Sequence, residues 1–153
     1  SLSTRAPELG LERTCAELGT ALVAFSPVGR AYLTDQPFNW ERVQSMAFTR
    51  TNPRFIEPNY SANISKTDEF RALAADMGEP AAAVAIAWLI SRGKHVLPIP
   101  GTKSTAHLAE LVRGTELALA AEDMERIDKV LPVGWAHGDR YNASQGEGPE
   151  RSC

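Results

Sequence analysis

Two bases, Arg30 and Lys103, each stand a few positions after a short apolar run and beside a glycine-containing turn. The first run, Ala21-Leu-Val-Ala-Phe25, leaves through Ser26-Pro-Val-Gly-Arg30. The second, Val96-Leu-Pro-Ile99, leaves through Pro100-Gly-Thr-Lys-Ser104. Turns of this kind can hold an anion. Main-chain amides near Gly101, Thr102 and the start of a following helix lack helical acceptors and can point at phosphate oxygens, and Lys103 adds a full positive charge. Gly-Thr-Lys-Ser lacks the upstream glycine spacing of a Walker loop, so the plain alternative, a strand, a turn and a helix whose lysine faces solvent, stays open on that segment alone. The two segments together point further. Two strands that each leave their carboxyl ends through a glycine-containing turn with one base match the way an α/β barrel holds phosphate between its last two strands.

The elements that must position these turns follow from pattern. Leu11, Cys15 and Leu18 recur at helical spacing before Gly19, which predicts an amphipathic helix over Glu8 to Leu18. A strand over Ala21 to Phe25 follows. From Ser26 to Lys66 periodicity is weak, and Pro, Asn and Arg are frequent. Phe38, Trp40, Phe48, Phe55 and Tyr60 argue that this long loop is packed, with a short helix over Trp40 to Phe48. Thr67-Asp-Glu-Phe reads as a capped, acidic helix start running to Met77 and stopped by Gly78. A second helix starts at Pro80 or Ala81 and runs to Ser91, with Val84, Trp88 and Leu89 on one face. A buried strand is expected over Val96 to Ile99, then helices over Ser104 to Val112 and Ala121 to Val130. The last is poorly capped, because Ala120 and Ala121 stand where a polar side chain would add about 1 kcal/mol. Strands alternating with helices imply parallel pairing and right-handed crossovers.

Composition sets limits. The 153 residues are 43% hydrophobic and 23% charged, as in globular proteins with a sizeable core. A net charge of -3 gives no electrostatic reason for nucleic acid or an anionic membrane as partner. No apolar run reaches the roughly 18 residues of a spanning helix, and no signal segment opens the chain, so a cytoplasmic protein is expected. Cys15 and Cys153 form no metal spacing and no disulfide framework; Cys15 reads as apolar filler and Cys153 as a free tail thiol.

Several segments in order resemble the carboxyl-terminal half of the aldo-keto reductases. Ser1-Leu2 with Arg5 is similar to the end of that family's sixth barrel strand, and Cys15-Ala-Glu-Leu-Gly19 to its sixth helix. Ser26-Pro-Val-Gly-Arg30 with Tyr32-Leu-Thr34 resembles the turn after strand seven. Pro53-Arg-Phe55 with Asn59 and Asn63 resembles the loop into helix seven, and Ala87-Trp88-Leu89 the end of that helix pair. Pro98-Ile-Pro-Gly-Thr-Lys103 resembles the strand-eight signature, and Gly138-Asp-Arg-Tyr141 the carboxyl-terminal segment. The match runs over 1–141, leaving 142–153 as a flexible tail.

The resemblance implies an α/β fold, the carboxyl-terminal portion of a (β/α)8 TIM barrel, from a protein that reduces aldehydes or ketones with NADPH. It implies that Ser26, Pro27, Val28, Gly29 and Arg30 lie along the cofactor's pyrophosphate. Lys103 would pair with the 2'-phosphate, with Ser104 nearby and His107 one helical turn on, on the same face. Glu110 would accept a hydrogen bond from the adenine amino group. Leu111 stands where the family has an asparagine, Ala31 where it has a glycine, and Pro58 where it has an acid.

The family's catalytic aspartate, tyrosine, lysine and histidine belong to the amino-terminal half, so the resemblance assigns no catalytic residue here. Tyr32, Tyr60 and Tyr141 match non-catalytic positions, and His95 sits at the start of a strand, the wrong end for barrel chemistry; His137 lies on the substrate side of the tail. The leading expectation is a fragment of an NADPH-dependent carbonyl reductase, inactive alone, with another chain completing the barrel. A non-catalytic nucleotide-binding or regulatory subunit of the same fold is the alternative, and another phosphate-binding barrel is a third.

Overall fold

A computed structural model describes residues 1–146. Ala6–Leu9 forms one turn of 3-10 helix and leads into α1 (Leu11–Glu17). Then come β1 (Leu22–Phe25), α2 (Trp40–Ser45), α3 (Asn59–Asp76), α4 (Ala81–Ser91), β2 (Val96–Ile99), α5 (Thr105–Glu116) and α6 (Ala121–Val130). β1 and β2 pair in parallel, Leu22 opposite Val96 and Phe25 opposite Ile99. The crossover between them carries α3 and α4, which turn by 88° at their break.

One face of this sheet is built into the protein. Leu22, Ala24 and Val96 pack with Val84, Trp88 and Leu89 of α4. The opposite face is open: Val23, Phe25, Leu97 and Ile99 are 52, 46, 48 and 54% exposed. The strand expected to be buried over Val96 to Ile99 is therefore buried on one side only, because period-2 alternation sends successive side chains to opposite faces.

α4 is buried from Ala81 to Leu89 on every side, where one apolar face was expected. Its alanines let α5 approach closely. A Cβ added at Gly114 would lie 2.6 Å from the Ala83 carbonyl oxygen and 2.7 Å from the Ile86 Cβ. Burying side chains such as Val84, Ile86 and Leu89 contributes about 1.5–3 kcal/mol each, which makes this helix the centre of the core.

One helix start and one apolar stripe differ from expectation. α3 begins at Asn59, so Thr67 is no cap. It is buried mid-helix, with its Oγ1 donating to the Asn63 carbonyl 2.9 Å away, a back-bond that imitates a cap signal in sequence. In α1 only Cys15 of the expected apolar stripe is buried, whereas Leu11 and Leu18 are 41% and 74% exposed. Gly19, at φ 64°, does end that helix in the left-handed region. α6 also has more of a cap than expected: the Asp123 carboxylate reaches back to accept from the Ala120 N–H at 3.0 Å.

The long loop after β1 is packed. Tyr32, Val43 and Phe55 form a second cluster with Phe38, Tyr60 and Ile64, and the Tyr32 and Phe55 rings stack at 4.6 Å. Among the residues expected in the tail, 142–146 form a turn tied to that loop. Asn142 Nδ2 donates to the Thr51 carbonyl at 2.9 Å, and Gln145 Nε2 to the Phe48 carbonyl at 3.0 Å. Cys153 and the rest of the expected tail lie outside the described residues.

Candidate functional site

In-register parallel pairing carries Ser26 and Pro100 out of the same end of the sheet. The two basic turns therefore start side by side. The turn after β1 is wound tightly: Ser26, Gly29, Arg30 and Ala31 have φ of 52, 61, 56 and 74°. Three of these carry a Cβ, and each costs of order 1 kcal/mol in this region. Gly29 has a second reason for lacking a side chain, since a Cβ there would lie 2.8 Å from Ser3 Oγ. Gly29 N–H donates to the Ser26 carbonyl at 3.0 Å, and Leu33 N–H to that of Val28 at 3.2 Å.

Within this turn the residues divide. Val28 packs against Ala82, Ile86 and Leu111, so its side chain serves the helical layer and only its main chain faces the turn. Pro27 and Gly29 are buried. Arg30 Nη1 donates to the Arg140 carbonyl at 3.1 Å, and its guanidinium lies 4.5 Å from the Phe48 ring centre and 5.0 Å from that of Tyr141.

Arg30 shares a polar depression with Arg54 and Arg140, beside Ser3, Ser26 and Gly29. Burial lowers the pKa of Arg30, and neighbouring Arg140 adds to this. Arg54 is pushed down to about 10 by burial and then by Arg30 and Arg140. All three stay charged at neutral pH, so the depression concentrates positive potential that an anion would relieve.

The turn after β2 is more open. Gly101, Thr102, Lys103 and His107 are exposed, Ser104 and Glu110 are half-buried. Thr102 Oγ1 accepts from the Ser104 N–H at 3.1 Å, and Ser104 Oγ caps α5 by accepting from the His107 N–H at 3.3 Å. Two of the amides expected to meet phosphate are thus taken by side chains, which leaves the first-turn amides of Thr105 and Ala106 without helical acceptors. Lys103 lies before the cap, so helical spacing does not set its relation to His107. Leu111 is 7% exposed and packs on α4; an apolar residue suits that position.

Two of the remaining chemistry-bearing groups, Tyr32 and Tyr60, have structural roles. Tyr32 OH donates to the Arg54 carbonyl at 2.7 Å, and Tyr60 OH to that of Phe38 at 2.9 Å. His95 sits where the chain enters β2, at the end away from the turns, with a buried Nε2 that has no hydrogen-bond partner among the described residues. In the sequence Arg54 and Asn63 stand out only as part of a resemblance, and Asn52 does not stand out at all. Asn52 and Asn63 are fully buried, and the one signal available was asparagine before Pro53, a turn and cap former.

Parallel strands with a helical crossover and basic turns at their carboxyl ends define an α/β protein with a candidate anion site. The profile of the aldo/keto reductase family matches residues 1–132, and the chain belongs to that family. It is 30% identical over 140 residues to an aldo-keto reductase of Strobilurus tenacellus, covering 92% of this chain and 41% of that protein. It is also 30% identical over 141 residues to a probable aldo-keto reductase of Glycine max, covering 92% and 40%. A Schizosaccharomyces pombe aldo-keto reductase whose name specifies NADP(+) is 27% identical over 146 residues, covering 95% and 43%. The chain thus spans about two fifths of the length of these relatives.

Among solved structures, a Gluconobacter oxydans glycerol dehydrogenase superposes with a TM-score of 0.68 at 22% identity, covering 85% of this chain and 39% of that one. A Klebsiella pneumoniae aldo-keto reductase in complex with NADPH gives 0.60 at 19% identity, covering 92% and 40%. These likenesses establish the fold.

Proposed function

We propose that the chain is the carboxyl-terminal portion of a (β/α)8 barrel and carries the phosphate-binding side of the NADPH site of a reductase acting on small aldehydes or ketones. The observation that carries this reading is the in-register pair β1–β2, whose shared end opens into the turns of Arg30 and Lys103. The residues fit the cofactor. Ser26, Gly29 and Arg30 border a basic depression that would face the pyrophosphate, and exposed Lys103 would offer the 2'-phosphate a charge-assisted contact that NADH cannot return. His107 and Glu110 follow on α5, with Gly101 and Thr102 supplying uncluttered backbone. Bound NADPH would supply the hydride.

The open sheet face supports the partial barrel. Apolar side chains at Val23, Phe25, Leu97 and Ile99 would line a barrel interior, and a cleft of about 130 Å³ runs along β1 between Leu11 and Trp88, where a further strand would pair. Tyr32 and Tyr60 spend their hydroxyl protons on main-chain carbonyls, so in this reading neither is the proton donor for carbonyl reduction, which belongs to the rest of the barrel.

Titration of the chain with NADPH and NADH tests the reading. NADPH should bind more tightly, and Lys103→Met should abolish the difference. Equal affinities before and after the substitution would reject the 2'-phosphate role. NADPH binding that yields no turnover when the amino-terminal half of a relative is added would mark a non-catalytic subunit instead.

A further inference from the structure

Residues 137–140 are gripped by their main chain. The Asn63 side chain accepts from the His137 N–H at 2.8 Å and donates to the His137 carbonyl at 3.0 Å, as a neighbouring strand would. Arg54 Nε donates to the Gly138 carbonyl at 3.3 Å. Asn52 Nδ2 donates to the Arg140 carbonyl at 2.8 Å. Gly138 lies flush on the loop: a Cβ there would meet the Pro53 carbonyl oxygen and Asn59 Nδ2, each at 2.7 Å, and its φ is 84°.

The held segment in turn holds Arg30. The Arg140 carbonyl that Asn52 fixes also accepts from Arg30 Nη1 at 3.1 Å, and the next residue, Tyr141, lays its ring against the Arg30 guanidinium. Asn52 and Asn63 are 0% and 1% exposed; polar groups so buried require these partners. Recognition through amides and carbonyls fixes the path of the segment without calling on the exposed His137 side chain.

We propose that Asn52, Arg54 and Asn63 are positioning residues: by gripping the backbone of 137–140 they set the Arg140 carbonyl and the Tyr141 ring against Arg30, and so fix its guanidinium plane at the turn after β1. That this plane serves an anionic cofactor rests on the reading above. The segment is a strap whose docking tunes the basic turn from a distance along the chain.

The test uses the full chain and three readouts by NMR and titration: amide exchange at His137, proton exchange at Arg30 Nε, and NADPH affinity. Gly138→Ala wedges the strap without touching the core, and Asn63→Ala removes the two-point contact. Each should speed exchange at both His137 and Arg30 about tenfold, the loss of roughly one net hydrogen bond, and weaken NADPH binding several-fold. His137→Ala, which keeps the main chain, should change none of the three. Unchanged His137 exchange in Gly138→Ala overturns the grip. Faster His137 exchange with unchanged Arg30 exchange overturns the positioning role. If Asn63→Ala loses its near-UV circular dichroism, Gly138→Ala decides alone. Absence of NADPH binding by the unaltered chain would reject the cofactor reading, and the two exchange measurements would still decide the strap.

Discussion

Phe25 and Ile99 stand opposite each other at the ends of the parallel pair, and both side chains project from the open face of the sheet, 46% and 54% exposed. Ile99 meets water and Phe25 meets water on one side and the Arg140 guanidinium, 4.2 Å from its ring centre, on the other; next to two basic turns they form a surface with different demands on each side. The apolar part asks for cover, and the basic part for an anion.

The uncovered face should be visible directly. The chain should bind a hydrophobic dye, and Ile99→Lys should reduce that signal while changing stability by no more than about 0.5 kcal/mol, as at other exposed sites. Thermal unfolding and dye fluorescence check both. A fall in stability of core size would mean that the face is covered in solution.

Gly114→Val should be severe. Its side chain would push α5 off Ala83 and Ile86 of α4, an overpacking cost of about 1–3 kcal/mol or more. Gly101→Ala is the control, because nothing lies within 4 Å of a Cβ there. Urea midpoints for the two variants should separate clearly.

Acid should weaken the tie between α5 and the turn before α4. A hydrogen bond from Arg113 holds the Glu79 carboxyl below its ordinary pKa of 4.5. The folded state therefore binds that proton less tightly than the unfolded state, and the resulting stabilisation is complete above pH 4.5 and lost as pH falls through the lowered value. Glu79→Gln should melt below the parent at pH 7, and the gap should close on acidification. A gap of constant size would remove the ion pair as its cause.

Ser104→Ala should cost about 1 kcal/mol, the usual loss for an N-cap, because Ser104 Oγ is the acceptor for the His107 N–H. Circular dichroism at 222 nm during urea unfolding measures it. Threonine at the same position should recover most of the loss, whereas valine should not.

Helix and strand identity followed well from local pattern wherever one signal dominated. β1, α4, β2 and α6 lie within a residue of expectation, since apolar runs bounded by Gly and Pro leave little choice. Family membership was legible too, in Ser26-Pro-Val-Gly-Arg30 and Pro98-Ile-Pro-Gly-Thr-Lys103. The start of α3 was not, because Thr67 presents the chemistry of a cap while its hydroxyl bonds back to Asn63. The grip on the strap was also hidden. Asn52, Asn63 and Gly138 lie up to 86 positions apart in sequence, and nothing local says that an asparagine will read a distant backbone. Leu11 and Leu18 show the converse: helical spacing predicted a buried stripe, but only Cys15 meets the core.

From Ala81 to Leu89, α4 has no wetted side. A nascent polypeptide that has emerged only through Ser91 presents nine consecutive buried-type residues, Ala81 to Leu89, before α5 and α6 exist to receive them. During synthesis this rod is a natural target for chaperones, and any arrest or proteolysis between β2 and α5 would leave a sticky remnant in place of a tidy smaller fold.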